Sequence, residues 1–179
     1  MTEPFTKLST ETLVTNPWHS YRRDRYVRTD GSVGDYYYIH MPGSAGVIPL
    51  FPDGSTLLLQ VHRYLLKRTL WEFPIGGIGE GGDPLLVAQH ELEEEAGLVA
   101  SKWKRLGHFA PYKGVSDEVC HFFLAEELSE TRQHLENTER ITVHRMGFAE
   151  AKRNLLGQEL LDGQSLVGLL LYERACAAG

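Results

Sequence analysis

Trp71-Glu72-Phe73-Pro74-Ile75-Gly76-Gly77-Ile78-Gly79-Glu80-Gly81-Gly82, residues 71–82, reads as a strand end running into a loop that only glycines fold tightly. It leads through Asp83-Pro84 into the stretch 85–96, Leu-Leu-Val-Ala-Gln-His-Glu-Leu-Glu-Glu-Glu-Ala, which holds no helix breaker. Asp83 has the side chain of an N-cap, Pro84 fits a first turn whose N–H groups have no partner anyway, and Gly97 stands where a helix stops. The spacing predicts a helix over 85–96. Residues three and four apart on a helix point the same way, so Glu91, Glu94 and Glu95 are expected to converge on one side while Leu92 and Ala96 face a core. A solvated acidic face would bear that repulsion at a few tenths of a kcal/mol per pair. Beside a loop rich in backbone oxygens, the same cluster also suits a hard divalent cation, which prefers oxygen ligands and keeps water and phosphate in its shell.

Working outward, 21–29 and 35–40 are rich in Tyr, Val and Arg around the turn residues Asp30-Gly31-Ser32, which predicts a β-hairpin after a polar start. The runs 45–50 and 56–63 flank Phe51-Pro52-Asp53-Gly54-Ser55 and give a second strand-turn-strand signal that opens a buried sheet. Beyond the acidic helix, 103–110 and 119–125 read as strands around the loop 111–118. Helices are expected over 148–155 and 165–174, the second with Leu166, Leu169 and Leu170 on one face. Strands and helices interleave within one α/β or α+β layer architecture, from which residues 1–42 can stand apart.

The 179 residues suffice for one compact domain and are short for two. With 42% hydrophobic and 23% charged residues, the composition is that of a globular protein and disfavours disorder. Lys and Arg total 18 against 24 Asp and Glu, a formal net charge of −6, so adhesion to nucleic acid or an anionic membrane gets no support from charge. A phosphate-bearing substrate would need a few placed Arg or Lys side chains or a bound cation. Cys120 and Cys176 are too few for a disulfide framework, and the N-terminus lacks the order of a signal peptide. A cytoplasmic protein is expected.

The segment 76–98 resembles a Nudix box, in which Gly is followed after five residues by Glu, and seven residues later by Arg-Glu-aliphatic-x-Glu-Glu-x-Gly-aliphatic. Gly76, Glu91, Leu92, Glu94, Glu95, Gly97 and Leu98 fall in register. Outside the box, Asn16-Pro17-Trp18, Val61-His62-Arg63-Tyr64, the segment 71–76, Ser116-Asp117-Glu118 and the closing 165–172 are similar to the ADP-ribose and nucleoside-diphosphate-sugar pyrophosphatase branch. The resemblance implies an α/β/α sandwich with a mixed sheet and an N-terminal antiparallel β-hairpin extension. It divides the chain into residues 1–42, serving dimerisation and substrate, and a hydrolase domain over 43–179. It implies a homodimer that hydrolyses the diphosphate of a small nucleotide substrate with Mg²⁺ or Mn²⁺, giving nucleoside monophosphate and sugar phosphate.

By that resemblance Glu91 and Glu95 are metal ligands, completed by the Ile75 carbonyl, and Glu94 is catalytic, as a ligand or as partner to one. Glu118 matches the position of a general base or further ligand, on a loop expected to close over the substrate. Arg63 is placed on the diphosphate, where its planar fork suits phosphate oxygens. Glu72 either ligates metal or holds Arg63 by an ion pair, and the pair is the favoured reading. Trp18 is the aromatic expected to stack on a base, and Lys113 to add positive charge near the phosphates.

Two box positions depart from the pattern: Gly82 stands for the first Glu and His90 for the Arg. They motivate an alternative, a Nudix-fold nucleotide sensor with weak or no turnover. Lys113, where ADP-ribose members commonly carry Pro, favours the wider nucleoside-diphosphate-sugar class. The other histidines show no ligand spacing.

Overall fold

The computed structural model describes residues 3–135 and 140–178. Its elements in order are β1 (Thr6–Thr15), β2 (Ser20–Val27), β3 (Val33–His40), β4 (Ser44–Pro49), β5 (Ser55–Arg63), β6 (Arg68–Glu72), β7 (Ile75–Gly77), α1 (Pro84–Ala96), β8 (Leu98–Phe109), β9 (Cys120–Glu130), β10 (Ile141–Gly147), α2 (Phe148–Gly157) and α3 (Gly163–Ala177). The strands form three sheets, ordered β1-β2-β3, β10-β5-β6 and β7-β4-β9-β8. Among the strand pairs of the described residues, only β4–β9 is parallel.

The core follows from the period-two alternation of strands covered on both faces. On β5, Leu57, Leu59 and Val61 join Ala88 and Leu92 of α1 in one apolar cluster, whereas Leu58 joins Ala151 and Leu155 of α2 and Leu169 of α3 in another. Strand β9 divides likewise, with Phe123 and Ala125 toward α1 and Phe122 and Leu124 toward α2 and α3. Helices on both sides of sheet make the α/β/α sandwich, and near-continuous apolar runs such as 56–61 are what two covered faces require.

Helix α1 has the ends its sequence predicts. The Asp83 carboxylate accepts the Leu85 N–H at 2.8 Å, and Gly97, at φ +65°, closes the helix by donating its N–H to the Glu93 carbonyl at 3.0 Å.

Three expectations need correction. The polar start is strand β1, which turns the hairpin into a three-stranded sheet, and all ten of its residues are exposed. The runs 45–50 and 56–63 are both strands, but they belong to different sheets, joined by a bridge between Leu50 and Thr56 and by the Thr56 hydroxyl donating to the Pro49 carbonyl at 2.7 Å. Each is apolar on both faces, so each takes an interior place in its own sheet. On α3 the buried residues are Ser165, Gly168, Leu169 and Leu171, while Leu170 is exposed.

Candidate active site

Strands β5 and β6 end beside a cleft of about 650 Å³, walled also by β7, by Ser44 at the start of β4, by Glu118 and by the first turn of α3. Glu72 on β6 pairs with Leu59 on β5, so its side chain shares the α1-facing side of the sheet with Leu59, Val61 and Arg63. There Arg63 Nε donates to Glu72 Oε1 at 2.9 Å and to Oε2 at 3.2 Å, and a guanidinium Nη also donates to Oε2. The hydrogen bond to Glu72 raises the Arg63 pKa against the effect of burial, and the charges of Glu72, Asp162 and Glu95 add to it. Burial pushes the Glu72 carboxyl above its usual range, while Arg63 pulls it back. The ion-pair reading of Glu72 is the one the geometry contains: a buried carboxylate fixes a half-exposed guanidinium at the cleft wall.

Two α1 carboxylates meet the same short strand, β7. A Cβ at Gly76 would fall inside the Glu91 carboxylate, so only glycine lets that side chain lie against the backbone. One turn on, buried Glu95 accepts the Ile75 N–H on Oε2 at 3.2 Å. Glu94, by contrast, is exposed. Among the described residues no group of three or more His, Cys, Asp or Glu side chains is arranged to hold a metal ion by itself. Two carboxylates at one backbone segment still fit a hard cation that takes its remaining oxygens from water and substrate phosphate.

Glu118 is buried rather than waiting on an open loop. Its Oε1 accepts the Ser44 hydroxyl at 2.6 Å, and Ser44 Oγ in turn accepts Gln164 Nε2–H at 3.0 Å. Because the serine oxygen already accepts from the amide, its single hydrogen is committed to Glu118. The loop is tied elsewhere too: Tyr36 Oη donates to the Gly114 carbonyl at 3.0 Å and the Ile39 N–H to the Val115 carbonyl at 2.8 Å. The loop expected to close over the substrate is held here by the N-terminal sheet, which supplies donors to its carbonyls. Below it, burial pushes the Cys120 thiol up to about 11, which leaves it inert.

The remaining sequence-derived residues lie apart from this cleft. Trp18 is 78% exposed, in a turn where the Asn16 carboxamide oxygen accepts the N–H groups of Trp18 and His19 at 2.9 Å. It borders a second cavity of about 450 Å³ beside the glycine-rich loop, which meets the first at Met41, Gly43 and Gly77. Lys113 borders a third cavity with Tyr36, Tyr38 and Asp117. His90 is exposed, and the Gly82 N–H closes a turn onto the Gly79 carbonyl at 3.0 Å.

Sequence reasoning missed Ser44, Tyr112, Asp162 and Gln164 in the cleft, and His40 in the cavity that adjoins it. Asp162 had a usable signal: it stands ahead of an apolar run, and its carboxylate caps α3 by accepting the Ser165 N–H at 2.8 Å.

Comparison with known proteins places this geometry in a family. The model of the NUDIX domain matches residues 40–162. An ADP-ribose pyrophosphatase of Mycobacterium tuberculosis is 31% identical over 170 residues, 93% of this chain and 82% of that protein. One from Bacillus subtilis is 30% identical over 138 residues, 76% of this chain and 75% of that protein. A crystal structure of an ADP compounds hydrolase superposes with a TM-score of 0.80 at 17% identity, covering 97% of this chain and 95% of that one, which shows the shared fold. The alternative of a sensor without turnover is not favoured by these relatives. The match across the box, the cleft-bearing strands and most of the chain shows that this protein belongs to the Nudix family of pyrophosphohydrolases, in the ADP-ribose pyrophosphatase branch.

Proposed function

We propose that the protein hydrolyses the diphosphate of an ADP-ribose-like nucleoside diphosphate sugar, adding one water across the phosphoanhydride to release nucleoside monophosphate and sugar phosphate. The observation that carries this reading is the convergence on one cleft of a phosphate-shaped guanidinium, Arg63, and a buried carboxylate, Glu118, beside the Gly76 backbone where Glu91 sits.

Glu91 and Glu95, with the Ile75 carbonyl, are the groups to hold Mg²⁺ or Mn²⁺. A divalent cation held there would neutralise diphosphate charge and lower the pKa of a bound water. Arg63, pre-aimed by Glu72, binds diphosphate oxygens through the part of its fork that Glu72 leaves open. Glu118, its Oε1 fixed by Ser44, takes the proton of the attacking water on its remaining oxygen. Glu94 is an outer partner of the two ligands. Trp18 and Lys113, which border other cavities within one chain, act on substrate bound at the mouth of the site.

We assign residues 1–42 to dimerisation and substrate binding and 43–179 to the hydrolase domain, in a cytoplasmic homodimer. The support is that β1 is exposed along its whole length and that Phe5, Leu8, Val14 and Tyr37 leave apolar surface open on the N-terminal sheet. No helix among the described residues is long and apolar enough to cross a membrane.

The test is a panel of nucleoside diphosphate sugars, dinucleotides and nucleoside triphosphates incubated with Mg²⁺ or Mn²⁺ while nucleoside monophosphate is measured. Release from ADP-ribose or a related sugar nucleotide is the expected result. Turnover of triphosphates alone, or of none, would overturn the assignment.

A further inference from the structure

We propose that His40 is a positioning residue of the cleft: as an imidazolium it clasps the glycine-rich loop 76–82 to the loop that carries Glu118. His40 ends β3, and its ring lies between two carboxylates. Nδ1 is 2.6 Å from Asp117 Oδ2 and Nε2 is 2.9 Å from Glu80 Oε1. Asp117 is the residue before Glu118 and is tied again to the same strand end, its Oδ1 accepting the Met41 N–H at 3.0 Å. Glu80 belongs to the loop that begins with Gly76, against which Glu91 rests.

A neutral imidazole offers one N–H and one lone pair, so one of these carboxylates would face a lone pair. Both contacts are satisfied together only when both ring nitrogens carry hydrogen. The other groups around the ring are Arg22 from β2, whose Nη2 is 3.9 Å from Glu80 Oε1, and His19 from the preceding turn, which borders the same cavity. Partial burial and Arg22 oppose the cation, but the hydrogen bonds to Asp117 and Glu80 outweigh them and hold the ring above its ordinary value.

The folded state thus binds the proton more tightly than the unfolded chain. The clasp is complete below about 6.5, the unperturbed histidine value, and is lost as pH rises through the raised one. Glu80, 75% exposed against 43% for Asp117 and the more distant of the two, is the partner that lets go. The released element is the part of the glycine-rich loop beyond Ile78, since β7 stays paired to β4 and the Ile78 N–H donates to the Gly43 carbonyl at 2.9 Å, while the Glu118 loop stays fastened through Met41 and Ser44.

The kinetic part of this proposal rests on the hydrolase reading; its structural part does not. The experiment follows the imidazole nitrogen shifts of the full, isotopically labelled chain from pH 5 to 9, with amide exchange at 79–82 corrected for intrinsic base catalysis. His40 should titrate above its ordinary value, and Asp117→Asn should bring that midpoint down by a pH unit or more. Exchange at 79–82 should speed up about tenfold across the same interval, and in His40→Gln or Glu80→Gln it should be fast throughout. With substrate, KM should rise severalfold over that interval in the wild type and stay flat in His40→Gln. A midpoint at or below the ordinary value, or loop exchange indifferent to it, overturns the clasp even in a protein that hydrolyses nothing. Should His40→Gln fail to fold, Glu80→Gln alone decides. A clasp seen by exchange with no substrate turned over would instead refute the hydrolase reading and leave the clasp standing.

Discussion

The two segments that bring carboxylates toward the cleft are built in opposite ways. Glu91 and Glu95 come from α1, whose start, stop and facing side are fixed within 15 residues by Asp83, Pro84, Gly97 and a spacing of four. Glu118 comes from a loop with no regular backbone, held by Ser44 at a separation of 74 residues and by Tyr36 through Gly114 at 78. The helix presents its carboxylates because local hydrogen bonds make it a helix; the loop presents its own because distant strands leave it one place to lie. The first arrangement tolerates changes elsewhere in the molecule, and the second is hostage to them. Chemistry should therefore be lost by substituting either carboxylate, but only Glu118 should be silenced from a distance.

The largest effect is expected from Glu95→Gln. The amide oxygen can still accept the Ile75 N–H, so the fold survives, with stability changed by less than about 1 kcal/mol, or roughly 3 °C in Tm. The lost charge removes a cation ligand, and several kcal/mol of transition-state stabilisation corresponds to a kcat/KM lower by about a thousandfold. Steady-state kinetics at saturating Mg²⁺ checks this, and near-normal turnover would sink the metal role of the helix.

How much of each segment could be read from the sequence follows the same division. Helix α1, its caps and the pairing of Arg63 with Glu72 were legible because a period of four or a known partner defines them. The hairpin 20–40 was legible through its Asp30-Gly31 turn, whereas β1 was not: its Thr-rich alternation lacks the apolar side that marks a covered strand, and all of it is exposed. The different sheets of β4 and β5 were hidden by their adjacency in sequence. Ser44 and Gln164 were invisible as site residues, since a lone serine and a glutamine acquire meaning only when the fold sets them 3.0 Å apart beside Glu118. Trp18 and Lys113 illustrate the reverse, a similarity of motif whose side chains border other cavities in the single chain.

A smaller but sharper effect is expected from Glu118→Gln. Its oxygen can still accept from Ser44, so the loop should stay seated, and kcat should fall about a hundredfold with KM little changed, as for a lost general base. If Glu118 instead ligates a cation, raising Mn²⁺ or Mg²⁺ should restore part of the activity. Wild-type kcat would exclude both roles and leave the seated loop without chemistry.

The smallest effects separate the two designs most directly, through a pair of substitutions that replace neither the α1 carboxylates nor Glu118. Ser44→Ala removes the hydroxyl that fixes Glu118 and leaves the Gln164 amide without its acceptor. A hydrogen bond to a charged group contributes about 1.5–3 kcal/mol, so freeing Glu118 should lower kcat about tenfold. Asp83→Ala removes the cap of α1, whose loss costs about 1 kcal/mol of stability. Most of the 13 residues of the helix lie beyond its first turn, and Glu91 and Glu95 sit in its second half, so fraying at Asp83 should not reach them. Tm should therefore fall in both variants and kcat in one. Equal losses of kcat would mean that α1 also depends on its surroundings for its aim; an unchanged kcat in Ser44→Ala would mean that Tyr36, Ile39 and Met41 suffice to seat the loop, and that the serine is dispensable to Glu118.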